Sequence, residues 1–186
     1  MTAIIMIIDL LLMFFFLLTL FRFARAIFMR LSLLRRIRLI CKDKKYTFKN
    51  LTFPLTSIFF KTQRIDLNIS TFDCVYHIKF ISSLSPKKNY HFIDENNYIT
   101  YTTMFFVLPM AKKSTESIHF LSYHRFPTVE KTADPYHKYI LLFNPLPNEI
   151  SYIAENGSKQ IAGNGSMLGD FYINNGKEFC ALLEEQ

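Results

Sequence analysis

The chain divides by the period of its apolar residues. From Ala3 to Phe21 apolar side chains fall on every face of a helix and are interrupted only by Asp9 and Thr19, whereas after Tyr46 they tend to fall at every second position. A soluble helix confines its apolar residues to one stripe, so the first pattern predicts a helix immersed in lipid. Nineteen residues at 1.5 Å each cover about 28 Å, close to the ~30 Å thickness of a bilayer's hydrocarbon core. The second pattern predicts half-buried strands.

The strand signal is clearest where Ile65, Leu67 and Ile69 alternate with Arg64, Asp66, Asn68 and Ser70. It continues where Phe72, Cys74, Tyr76, Ile78 and Phe80 oppose Asp73, His77 and Lys79, with Val75 the exception. Strands are expected over 46–53, 56–61, 64–70, 72–82, 89–93, 97–108, 117–124, 137–143, 149–154, 158–162 and 170–173. Asn156-Gly157, Asn164-Gly165 and Asn175-Gly176 predict tight hairpin turns, because both central positions of such turns favour positive φ. With a bend at Asn144–Asn148, they imply a C-terminal β-meander. The polar, Pro-containing stretches 109–116 and 126–136 read as loops. Lys177–Gln186 combines good helix formers with an apolar face of Phe179, Cys180, Leu182 and Leu183, predicting a short closing helix. The expected fold is a single transmembrane helix plus a mainly-β domain, an antiparallel sandwich or open barrel, with a short C-terminal helix. Its segments are an anchor over 1–21, a basic juxtamembrane segment over 22–45 and a β-rich globular domain over 46–186.

Charge sharpens this division. Nine of the 22 basic residues lie between 22 and 45, as Arg22, Arg25, Arg30, Arg35, Arg36, Arg38, Lys42, Lys44 and Lys45, against the single acid Asp43. Removing these nine, and the acids Asp9 and Asp43, from the totals of 22 and 15 leaves 13 of each sign after Tyr46, so the domain carries no nucleic-acid footprint. Positive charge stays on the cytoplasmic side, which predicts an outside N-terminus and a cytoplasmic domain. A cleaved signal peptide carries its positive charge before the apolar stretch, and here the charge follows it, so the anchor is expected to be retained despite the small-residue pattern Ala24-Arg25-Ala26. Asp9 falls in the outer third of the span, near the headgroups or against a partner helix. The nine cations are the candidate membrane-surface residues, each adding about 1 kcal/mol against an anionic leaflet. They alternate with Phe28, Leu31, Leu39 and other apolar residues and gather on no single helical face.

Cys41, Cys74 and Cys180 are odd in number and widely spaced, which suits a reducing compartment, with Cys74–Cys180 the one pairing left open. Cys41 beside the basic segment is a candidate for acylation. Asn-x-Ser/Thr acceptors at Asn50, Asn68, Asn156 and Asn164 would matter only in a secretory lumen.

Catalytic and cofactor motifs are weak. The glycine-rich stretch 162–170 lacks the Lys and the following helix of a phosphate loop, and fits hairpin turns instead. No nucleophile elbow occurs, and Ser85-Pro86-Lys87-Lys88 is a turn. His77, His91, His119, His124 and His137 show neither the i,i+4 nor the i,i+2 spacing of paired metal ligands, so neither metal nor cofactor is expected. The best catalytic grouping is His124, Arg125, Asp134 and His137 around the 126–136 loop. Three functions follow: a membrane-anchored scaffold or regulatory module with a protein partner, a small membrane-bound enzyme with a site near 124–137, and a sensor of anionic lipid.

Overall fold

A computed structural model describes residues 2–53, 65–81, 88–93, 97–107, 115–125, 134–144, 147–154 and 157–186. Helix α1 runs unbroken over Thr2–Asp43, 42 residues or about 63 Å. Neither Gly nor Pro occurs before Pro54, so nothing local stops it at Phe21, and the candidate span and the basic segment form one rod. It ends by geometry. Lys45 takes a left-handed φ of 60°, the amide of Tyr46 donates to the carbonyl of Cys41 at 2.8 Å, and that of Lys45 donates to Lys42 at 3.3 Å. This double closure satisfies the last carbonyls, and Tyr46 and Cys41 share the core beneath it.

Eleven strands follow: β1 Thr47–Asn50, β2 Leu67–Ser70, β3 Val75–Ile81, β4 Asn89–Phe92, β5 Asn97–Val107, β6 Thr115–Arg125, β7 His137–Phe143, β8 Glu149–Ile153, β9 Lys159–Ile161, β10 Met167–Leu168 and β11 Phe171–Asn175. Helix α2, Gly176–Glu185, closes the chain. The strands form a six-stranded sheet, β1-β2-β3-β7-β11-β10, and a five-stranded sheet, β6-β5-β4-β8-β9. The antiparallel expectation is corrected: β7 runs parallel to both β3 and β11, and β4 parallel to β8, so both sheets are mixed. The chain leaves the first sheet after β3 and again after β7, visits the second, and returns beside the strand it left. Such a route replaces the usual crossover helix between parallel strands.

The first sheet is covered on both sides. Leu67, Ile69, Tyr76, Ile78, Phe80, Ile140 and Leu142 pack with Leu34, Ile37, Ile40 and Cys41 of α1 and with Phe179, Cys180 and Leu183 of α2. Tyr139, Leu141, Phe143, Phe171 and Ile173 pack with Tyr90, Phe92, Tyr98 and Ile150 of the second sheet. This explains Tyr139-Ile-Leu-Leu-Phe143, an uninterrupted buried run, because a parallel strand covered on both faces loses its alternation.

The expected strand at 56–61 lies outside the described residues. Phe72, expected in the β3 face, lies before that strand and is exposed against Tyr46. The C-terminal meander is corrected too, since β9 pairs with β8 in one sheet while β10 and β11 belong to the other. Gly165 has the positive φ of 80° expected of it. Asn175-Gly176 makes no hairpin: Asn175 caps α2, its side-chain oxygen accepting from the amides of Lys177 and Glu178 at 3.0 Å each. The cysteines are free and buried, which removes Cys41 from the surface on which acylation was expected.

Candidate functional site

Between Ala26 and Cys41 one face of α1 turns inward, burying Ala26, Arg30, Leu34, Ile37, Ile40 and Cys41. These positions, with half-buried Leu33, follow helical spacing and dock on the first sheet. Upstream, Ile4–Arg22 is exposed on all sides and reaches a mean hydropathy of 2.9 over eighteen residues. α1 is therefore one helix with two environments, long and apolar enough at its first half to cross a bilayer.

The nine cations of 22–45 do not form one surface. Arg30 is only 1% exposed, its guanidinium 3.6 Å above the Phe80 ring, so the expectation that it faces lipid headgroups is corrected. Arg22, Arg25, Arg35, Arg36, Arg38, Lys42 and Lys45 are exposed and Lys44 is half-buried. Arg36 pairs with Glu184 of α2 at 3.2 Å, and Arg38 lies 5.1 Å from the Phe48 ring. Distance divides them further. For a span ending at Phe21 and a straight helix, Arg22 and Arg25 stand about 2 and 6 Å past it, whereas Arg35, Arg38 and Lys42 stand roughly 21, 26 and 32 Å past it. A leaflet's polar layer is about 5–8 Å deep and charges are screened over about 8 Å, so with that placement Arg22 and Arg25 stand nearest the phosphates and Arg38 and Lys42 farthest from them.

Beneath Arg30 lies a buried ionic cluster. Asp66, just before β2, accepts from the backbone amide of Phe80 at 2.9 Å and from the Thr52 hydroxyl at 2.9 Å, and stands 3.6 Å from the ammonium of Lys79. Both Asp66 and Lys79 are buried. Burial pulls the Arg30 guanidinium down to about 9 and Lys79 below its ordinary value, and the Asp66 carboxylate opposes both shifts. Through Arg30 the cluster joins α1 to the sheet, and its two cations share the one carboxylate of Asp66.

A second polar group opens on the other face of that sheet. His77 of β3 and His137 of β7 approach with Nε2 to Nδ1 at 2.7 Å, their rings stacked, and Tyr139 stacks on His77. The side-chain oxygen of Asn68 lies 3.0 Å from His77 Nδ1, an acceptor that assigns the proton to that nitrogen. His77 Nε2 then accepts from His137 Nδ1, and His137 Nε2 keeps its lone pair. Burial, and then His137 itself, lower the His77 pKa, which favours the neutral form of His77. Sequence spacing missed it, because the two histidines are 60 residues apart and only the parallel register joins them.

Residues 126–133 of the expected grouping around 126–136 lie outside the described residues. His124 and Arg125 pair with Tyr98 and Asn97 in the second sheet, whereas His137 lies opposite Val75 in the first. The carboxylate of Asp134 accepts from the amide of Tyr136 at 2.9 Å, a local turn. Among the described residues, no three His, Cys, Asp or Glu converge as a metal cage.

Two grooves flank α2. One, of about 520 Å³, lies between α1 at Phe28, Ser32 and Arg36, the end of β7 at Asn144, and the start of α2 at Gly176 and Lys177. The other, of about 460 Å³, is lined by Tyr76, Lys138, Tyr172, Asn174 and Glu178. Compared with protein-family models, curated proteins and solved structures, the chain matches none.

Proposed function

We propose that the protein is a membrane-anchored, non-enzymatic scaffold or regulatory module that presents its β-rich domain to a protein partner on the cytoplasmic side. One observation carries this reading: the helix that supplies the candidate span also supplies Leu34, Ile37, Ile40 and Cys41 to the core. No flexible linker intervenes, so the orientation of the domain follows that of the helix. Such a union suits a module whose exposed faces must meet a partner at a set height above the bilayer, and anchoring raises the local concentration of both. The excess of positive charge after the span favours the cytoplasmic side. The edge strand β9, with Ile161 73% exposed, adds a surface able to accept a further strand.

The test is photo-cross-linking in cells from single sites across the exposed surface of the full-length chain, with sealed-vesicle proteolysis to read the side. Cross-links to one protein from one contiguous face, and protection inside intact cells, are expected. No protein adduct at any face, or digestion from outside, would overturn the reading.

The enzyme reading gains one observation, the contact of His77 with His137 across β3 and β7. The lipid-sensor reading rests on the exposed cations, of which Arg22 and Arg25, nearest the candidate span, serve an anchor as well as a sensor.

A further inference from the structure

Opposite the buried face of α1 runs an exposed face with a pattern of its own. Phe28, Leu31, Arg35, Leu39 and Lys42 follow one another at intervals of three and four, with Arg38 beside Leu39. Phe28 is 73%, Leu31 46% and Leu39 52% exposed. An apolar seam at that spacing is how one helix offers itself to another. The groove of about 520 Å³ runs along its flank through Phe28, Ser32 and Arg36, giving an added helix one wall from α1 and a second from the start of α2.

We infer that this face, from Phe28 to Lys42, is the docking site of an acidic amphipathic helix from a partner protein, laid alongside α1 just beneath the membrane. The inference rests on the scaffold reading and names its partner surface. Charge selects the occupant. Arg35, Arg38 and Lys42 sit on the seam and Arg25 at its border, so a facing helix needs Asp or Glu beside its apolar residues. A second copy would set Arg35 and Lys42 near their own counterparts, and like charges across a helical seam repel. Height disfavours lipid, because for an upright span ending at Phe21 the distal cations Arg38 and Lys42 lie roughly 26 and 32 Å past it, well beyond the screening length. The Arg36–Glu184 pair does not close the site, because both side chains are about half exposed and such pairs exchange readily.

The test uses the full-length chain in nanodiscs of zwitterionic lipid and, as probe, a synthetic amphipathic helix with Leu at heptad positions a and d and Glu at e and g. Binding is expected, weakened at least tenfold by R35E/R38E/K42E, and recovered when that variant meets the same peptide with Lys in place of Glu. A photo-cross-linker at Leu39 should label the acidic peptide. Equal binding by the native and reversed chains, cross-linking of Leu39 to a second copy or to lipid, or absence of rescue would overturn the inference. The scaffold reading fails separately: cellular cross-links to a partner from β9 but not from Leu31 or Leu39 would sink this site alone, whereas absence of partner cross-links from every face would sink both.

Discussion

The guanidinium of Arg30 lies 3.6 Å above the ring of Phe80, with the Asp66 carboxylate and Lys79 ammonium buried nearby at 3.6 Å from each other. Through these residues the helix that begins as an apolar rod becomes part of the domain. A cation on a long stem suits this place, because its methylenes line the apolar seam while its planar head stacks on an aromatic face.

Asp66 is the anion facing both cations, so Asp66→Asn should destabilise the domain by about 3–5 kcal/mol, the usual cost of leaving a buried charge uncompensated. Arg30→Met, which removes a charge and keeps the stem, should cost less than Arg30→Ala. Denaturant unfolding of the full chain in mild detergent, followed by circular dichroism, measures all three. Equal losses for the two Arg30 variants would mean that packing of the stem contributes nothing.

Truncation tests the continuity of α1. A chain beginning at Arg22 keeps every residue that α1 contributes to the core and should unfold cooperatively. One beginning at Tyr46 loses Leu34, Ile37, Ile40 and Cys41, which is about 6 kcal/mol of burial at ~1.5 kcal/mol or more per side chain, against a total stability of about 5–15 kcal/mol. It should aggregate or bind hydrophobic dyes. A well-folded 46–186 fragment would refute the packing described for α1.

The contact of α1 with α2 is tight at Gly176, where an added Cβ would come within 2.8 Å of Leu33 Cδ2. Gly176→Ala should therefore push the tip of the Leu33 side chain aside, at a cost of about 0.5–1 kcal/mol. Adding Leu33→Ala should relieve the clash, with a coupling of at least ~0.5 kcal/mol in a double-mutant cycle. Strict additivity would place the two residues apart.

Burial and the neighbouring His137 lower the His77 pKa, and burial together with Lys159 lowers that of His91. The unfolded chain thus takes up these protons first, near pH about 6.5, so the stabilisation is complete above that value and is lost as pH falls toward the folded pKa values. The thermal midpoint should drop between about pH 7 and pH 5. His77→Gln should flatten the slope. Glu149, held below its ordinary value chiefly by its hydrogen bond with Lys159, adds stability that is fully present across this range and is lost only as pH falls below about 4.5, where carboxylates titrate. A variant with an unchanged slope would remove His77 from the account.

Much of this was legible along the chain because it is local. The all-round apolarity of Ile4–Phe21 predicts a lipid-compatible helix, alternation marks most of the strands, and Phe179, Cys180 and Leu183 mark the inner face of α2. The cap at Asn175 was legible as well, since Glu178 follows it at capping distance, but the Asn-Gly pair gave the stronger and misleading hairpin signal.

By itself the sequence determined the apolar N-terminal helix, most of the strands and the closing helix, since side-chain period and backbone freedom act over a few residues. Only the tertiary structure decided that β3, β7 and β11 run in parallel, that His77 meets His137, and that Arg30 lies inside the protein while Arg35 stands outside. The reason is physical: those outcomes depend on contacts between residues far apart in the chain. A basic residue among apolar neighbours reads the same whether a sheet or solvent covers it.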